Sequence, residues 1–228
     1  MEAIGQGQKT AERFFTSENA STYDYIVRFT TFGQDHLWKD HMVKIINNQH
    51  MCILDLACGT GILSSMLIKR IPSIRVVGLD LISEYLQIAK AKKNNSLLVN
   101  GAAETLPFAN QSFDCIISSY LPKYVNIDLL IDECCRILKH RGIVIFHDFT
   151  YPQNFMVQYM WKAYFAILRF MANFIKSWNI VFSELDKVIQ TNNWPNHILR
   201  SLETKGFDEI YYKNYTLGTA AIISAKKI

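Results

Sequence analysis

Met51-Cys52-Ile53-Leu54-Asp55-Leu56-Ala57-Cys58-Gly59-Thr60-Gly61 is the stretch that decides the fold: an apolar run stops at an acid, and two glycines follow at once. The run up to Leu54 carries no charge, as expected of a strand covered on both faces of a sheet. Gly59 and Gly61 let the backbone turn tightly and pass close to a ligand before a helix starts near Ile62. A second apolar run, 74–79, ends in Asp80, about twenty residues beyond the glycines, the distance at which an acid reaches ribose hydroxyls. The pattern reads as a strand entering a nucleotide loop, although a bare Gly-x-Gly taken alone also fits an ordinary strand-to-helix turn.

The third glycine position of a dinucleotide fingerprint is occupied here by Ser64. That fingerprint uses the glycine for close helix packing and the helix N-terminus for a pyrophosphate. Asp55, just before the loop, instead suits a cationic amino group or its water, as the methionine end of S-adenosylmethionine (SAM) requires. Outward from the loop, a helix runs from Ile62 to Ile71 and stops at Pro72, and another runs from Ser83 to Lys93 with Ser83 as its N-cap. Ser96 to Val99 and Phe113 to Ser118 read as the third and fourth strands. Asn126 to Lys139 is helical, closed by His140-Arg141-Gly142, and Ile143 to Phe146 is a fifth strand ending in His147-Asp148. This alternation predicts an α/β fold with a parallel, doubly wound sheet, right-handed crossovers and ligands at the carboxyl ends of the strands. Phe207 to Tyr215 and Thr219 to Lys226 add an antiparallel hairpin through Gly218.

Upstream, residues 1–20 read as polar and loose until Phe14 and Phe15. From Tyr23 to Val43 apolar residues recur at helical spacing, broken by Gly33, and form a helical cap that closes over a ligand or packs on the sheet edge. Residues 149–183 contain no acid and are crowded with aromatic and aliphatic side chains. Lys162, Arg169 and Lys176 lie seven apart, which keeps them on nearly one face of a helix. The uncharged stretches between them fall short of the roughly 20 residues that span a bilayer. Such a segment suits contact with a membrane surface through 152–178, or a lid over a greasy pocket, and its apolar face equally suits core or a homodimer contact.

At 228 residues, 50% hydrophobic and 19% charged, the chain suits a single domain over 1–228, with 1–48 as helical cap and 149–195 as helical lid. The net charge of +4 is scattered, without the basic run of a nucleic-acid arm. Five cysteines form no Cys-x-x-Cys pair, so no metal is expected. The stretch from Met1 to Thr10 is polar, has no apolar core of a secretory signal, and predicts a cytoplasmic protein.

Taken in order, 54–61, Gly78-Leu79-Asp80, Ala103-Glu104-Thr105-Leu106-Pro107-Phe108, Ser112-Phe113-Asp114-Cys115-Ile116, and Arg136 to Lys139 with Gly142 resemble the signature segments of class I SAM-dependent methyltransferases. Tyr23-Asp24, Phe32-Gly33, Leu37-Trp38-Lys39 and Asn214-Tyr215-Thr216-Leu217-Gly218 narrow the resemblance to the menaquinone/ubiquinone biosynthesis C-methyltransferase family. It covers most of residues 22–225 and is weakest in 149–195. The resemblance implies a seven-stranded, Rossmann-like, mostly parallel sheet, SAM as methyl donor and a lipophilic, quinol-like acceptor. It places Asp55, Ala57, Cys58, Gly59, Thr60 and Gly61 around the methionine portion, Asp80 at the ribose and Leu81 on the adenine. It puts Ala102, Ala103 and Ser118 beside the adenine and sulfonium, with Tyr23 and Trp38 as a roof.

One departure bears on chemistry. Where that family usually has an Arg-Asn pair after the fourth strand, this chain has Lys123-Tyr124; lysine keeps the charge and loses the planar fork. For ring methylation of a quinol, Lys123 would stabilise a phenolate, and Tyr120, His147 or Asp148 would take or relay its proton. O- or N-methylation of another small lipophilic metabolite, and a SAM- or dinucleotide-binding module without transfer, are the alternative readings.

Overall fold

The computed structural model describes residues 4–47 and 51–228, so both ends of the expected cap, 1–3 and Asn48, lie outside the described residues. Chain order runs α1 (Ile4–Phe14), α2 (Ser17–Ala20), α3 (Tyr23–Thr30), α4 (Gln34–Ile45), β1 (Cys52–Leu56), α5 (Ile62–Arg70), β2 (Arg75–Asp80), α6 (Ser83–Ala91), β3 (Leu97–Asn100) and β4 (Phe113–Ser119). It continues through α7 (Ile127–Ile137), β5 (Leu138–Phe149), α8 (Phe155–Ala172), α9 (Asn179–Thr191), α10 (Trp194–Thr204), β6 (Phe207–Tyr215) and β7 (Ala220–Lys227). The strands form one sheet in the order β3-β2-β1-β4-β5-β7-β6, with β1 to β5 parallel and β7 antiparallel to both neighbours. The strand order reverses between β1 and β4, so the crevice beyond their carboxyl ends is where such a sheet receives ligands.

Strand alternation divides the core into two layers. Leu54, Leu56, Ile116, Val144 and Ile223 face α7 and α10, where Leu130, Trp194 and Ile198 are buried. Ile53, Val76, Ile117, Ile145 and Ile222 face the other way, against Met42 of α4 and Leu63 and Leu67 of α5. A third, aromatic cluster joins cap to lid: Phe14, Tyr124, Trp161, Phe165, Trp178 and Phe182 are all buried.

Four local expectations change. The N-terminal segment is helical from Ile4, not loose; Phe14 is fully buried, and Gly7 lets the α1 backbone lie against Tyr124, where an added Cβ would sit 2.1 Å from the carbonyl oxygen. Ser83 does not cap α6. Asp80 Oδ1 accepts from the Ile82 amide at 2.9 Å instead, and the Ser83 hydroxyl turns to Glu84. His140, Arg141 and Gly142 do not close a helix but lie inside β5, at a register shift where Arg141 has φ of 61°. The lid is a helical hairpin, not one long helix: α8 ends at Ala172, and Lys176 lies in a 3-10 turn, 176–178, before α9. The seven-residue spacing therefore does not set the three cations along one helix. Among the described residues no helix is long and apolar enough to cross a membrane.

Candidate functional site

β1 delivers the chain to a loop in which Ala57, Gly59 and Gly61 all have positive φ, 59°, 54° and 76°. The loop turns under the start of α5 and is fastened from β2. Asp80, 8% exposed, accepts from the Gly59 amide at 2.7 Å and from Ile82, so one carboxylate ties the glycine loop to the turn before α6. Burial raises its pKa against these bonds. The Cys58 amide donates to the Leu79 carbonyl at 2.9 Å, and Gly78 makes room for its thiol, since a Cβ there would lie 2.8 Å from the sulfur. Thr60 donates to Asp24 of α3 at 2.5 Å, which anchors the cap on the loop.

Above this loop a small cavity of about 100 Å³ is lined by Ala57, Gly59, Asp80, Leu81, Ala102 and Ala103, which the structure brings together. Cys58, Thr60 and Gly61 belong to the loop but do not line the cavity, and Asp55 and Ser118 lie elsewhere. Asp55 is buried under the loop, accepts from the Ser64 hydroxyl at 2.6 Å, and is pushed up to about 6 by burial. Ser64, the missing third glycine, is thus the partner of this acid. Ser118 turns into the sheet and donates to the Leu56 carbonyl at 2.5 Å, while its neighbour Ser119 lines the cavity. Gln8 and Ala11 of α1 and Glu104 complete the wall; Glu104 accepts from the Asn126 amide at 2.7 Å.

A second cavity, about 420 Å³, lies beside the first under the lid and is overwhelmingly apolar, walled by Trp38, Phe149, Trp161, Tyr164 and Phe182 among others. Trp38 therefore belongs to this cavity and not to the roof of the smaller one; its indole donates to Thr216 at 3.0 Å. Phe15, Tyr23, Tyr120 and Tyr124 line both cavities and form the partition between them. Of these the sequence reading singled out Tyr23 and Tyr120. Tyr124 was quoted only as half of a departure, and Phe15 only as the start of ordered chain.

Two buried charge chains meet the partition. The Tyr120 hydroxyl donates to Asp35 Oδ1 at 2.7 Å, and Asp35 pairs with Lys39 one turn along α4. Lys123 pairs with Asp148 at 2.5 Å, its ammonium also bonded to the Tyr120 carbonyl and 4.5 Å from the centre of the Tyr124 ring. Both members are buried, so desolvation lowers the Lys123 pKa and raises that of Asp148, each opposed by the partner's charge. Burial and the Asp35 carboxylate hold the Tyr120 phenol well above its ordinary value. His147 lines neither cavity. Its Nδ1 meets the Ser119 hydroxyl at 2.9 Å, its Nε2 has no hydrogen-bond partner among the described residues, and burial keeps the ring neutral. Asp35 and Lys39 are the residues sequence reasoning missed; their i,i+4 spacing on a helix with buried Trp38 was the available signal.

A loop of positive-φ residues beside a buried acid, with Leu81, Ala102 and Ala103 as apolar flanks, has the chemistry to hold an adenosine through its ribose diol and ring. Residues 5–227 match the ubiE/COQ5 methyltransferase family. The chain is 29% identical over 224 residues, 93% of its length and 90% of the relative's, to the ubiquinone/menaquinone biosynthesis C-methyltransferase UbiE of Rickettsia bellii. It is 31% identical over 152 residues, 66% of each chain, to the demethylmenaquinone methyltransferase of Thermotoga maritima. Its fold is similar to that of phosphoethanolamine N-methyltransferase 2 of Haemonchus contortus in complex with SAM, with a TM-score of 0.66 and 14% identity over 95% of this chain and 58% of that one.

Proposed function

The chain belongs to the ubiE/COQ5 methyltransferase family and is a SAM-dependent methyltransferase, and we propose that its acceptor is a prenylated quinol precursor of the demethylmenaquinol type, methylated on a ring carbon. The observation that carries the reading is the four-residue aromatic partition, which sets an apolar cavity directly against the glycine-loop cavity. When bound, SAM supplies an electrophilic methyl group on a sulfonium. Asp80 and the loop 57–61 would hold it, with Leu81, Ala102 and Ala103 against the adenine.

The protein's own work is alignment, exclusion of water and removal of a proton. The apolar walls of the larger cavity exclude water and fit an aromatic ring. A phenolic hydroxyl at the partition loses its proton to Tyr120 Oη as that group passes its own proton to Asp35 Oδ1, 2.7 Å away. The ring carbon that takes the methyl group then sheds its hydrogen as the ring oxygen regains a proton, so one proton leaves overall. Lys39 neutralises Asp35 while the latter is ionised. Lys123, already desolvated, stabilises negative charge on the ring oxygen in the manner of an oxyanion site. His147 and Asp148 act behind these groups: Asp148 fixes the Lys123 ammonium, and the carbonyl of His147 accepts from the Tyr120 amide at 2.8 Å.

The test is transfer of labelled methyl from SAM to a reduced short-chain demethylmenaquinol analogue, with SAM binding measured by calorimetry in the same preparation. Methyl on the ring carbon is the expected product. Label on oxygen or nitrogen, or no transfer with intact SAM binding, would move the acceptor elsewhere among lipophilic metabolites. Tyr120→Phe should lower turnover by about a hundredfold, the scale of one proton-transfer group, and leave SAM affinity unchanged.

A further inference from the structure

We propose that the solvent face of α8, with the turn at Phe32 and the loop at Leu217, docks on a lipid bilayer and opens the apolar cavity against the membrane. The inference rests on the reading of the acceptor as lipophilic. It starts from an anomaly in α8, which is apolar on the side facing solvent as well as on the side that packs. Trp161, Phe165, Leu168 and Ala172 point inward and are buried. On the opposite side Met156, Met160, Ile167, Phe170 and Phe174 are 60–74% exposed. Helices that face water carry charge on that side, and a contiguous exposed apolar strip marks a surface with a partner.

The strip leads to an opening. Phe32, Met160 and Leu217 line the 420 Å³ cavity, and the same three residues are 80%, 64% and 74% exposed, so the rim of the mouth is as apolar as the interior. Tyr25 and Phe29, both more than half exposed, continue the patch along α3 from Phe32. A cavity of this size suits one drug-sized molecule; a long prenyl tail must leave through that mouth, and an apolar rim is where it would do so.

Charge selects the partner. Residues 149–183 hold no acid, and exposed cations stand next to the patch in the chain: Lys162 on α8, Lys176 two residues after Phe174, and Arg28 beside Phe29. Cations bordering inserted aromatic and aliphatic groups match the anionic headgroups and acyl boundary of a bilayer. A second copy of the same face, brought on by a two-fold axis, would set these cations against one another and cover the cavity mouth.

Vesicle sedimentation of the full chain tests the inference directly. Binding to vesicles of phosphatidylglycerol and phosphatidylcholine at low salt, falling as salt rises, is expected. A triple variant, Phe155→Ser with Phe170→Ser and Phe174→Ser, removes exposed rings that line neither cavity. It should bind at least about tenfold more weakly, and Lys162→Glu should weaken binding at low salt and flatten its dependence on salt. Both should turn over a short water-soluble acceptor normally and a long-chain acceptor embedded in vesicles poorly. Absence of vesicle binding at low salt would overturn the proposal. So would a wild-type dimer that the triple variant converts to monomer with vesicle binding unchanged. Vesicle binding without methyl transfer to any quinol would refute the acceptor and leave the docking face standing, so the two failures are distinguishable.

Discussion

Asp55 and Lys123 are buried for opposite purposes, and each makes a measurable prediction at the residue scale. Asp55 has its folded pKa raised from 3.8 to about 6. Between those values the folded chain binds more protons than the unfolded one, so this group's contribution to stability falls as pH rises from about 4 to 6. Linkage converts the difference to about 3 kcal/mol at neutral pH. Asp55→Asn, which can still accept from Ser64, should raise the melting temperature at pH 7 and flatten its dependence across that window; an unchanged profile would show that Asp55 titrates normally. Lys123→Met leaves Asp148 buried without its cation and should cost about 3–5 kcal/mol. Adding Asp148→Asn should recover most of that stability and none of the turnover. A double variant with normal turnover would remove Lys123 from the chemistry. Asp80 was legible from spacing alone because a strand of known rise carries it to the loop. Ser118 was a residue off because strand side chains alternate, and a shift of one changes the face. Asp35 was legible only as one half of an i,i+4 pair with Lys39, since its meaning comes from Tyr120, 85 positions away.

Whole elements explain why the cavity beside the glycine loop is only about 100 Å³. Gln8 and Ala11 of α1 and Phe15 after it roof that cavity, and a ligand the size of SAM requires them to withdraw. Their position depends on Gly7, where backbone meets backbone at Tyr124. Gly7→Ala should force α1 away from Tyr124, raise amide exchange across residues 4–14 without ligand, and speed both entry and loss of SAM. Protection equal to wild type would show that the contact yields without cost. Neither α1 nor the break in the lid was readable. Two glycines in a polar stretch read as looseness, and nothing in the apolar composition of 149–183 locates the stop after Ala172. The strands, by contrast, were readable within a residue or two, because uncharged runs between glycine, proline and helical segments have few other solutions; the exception is β5, which starts at Leu138, five residues before the expected Ile143.

At the scale of the molecule, two core layers share one sheet, and the aromatic cluster of cap and lid reaches that sheet through Tyr124 and Phe149. We therefore expect the 228 residues to unfold as a unit, with calorimetric and van't Hoff enthalpies equal. Two separate transitions would make the cap and lid an independent folding unit. The α/β class and the closing hairpin were legible in the alternation of strand and helix signals. A lid over a greasy pocket was one reading of the composition of 149–183, but the residues that wall the cavity were not legible, because they come from α3, α4, α8, α9 and the loop at 216–219. The position of β7 between β5 and β6 also has a consequence for synthesis. Until Lys227 has left the ribosome, every strand from β1 to β5 can assemble, yet β5 presents a bare edge and β6 has no neighbour to pair with. The nascent chain is thus committed to its cofactor loop long before it is protected from sticking to another copy, and slow translation of β7 would lengthen that exposure.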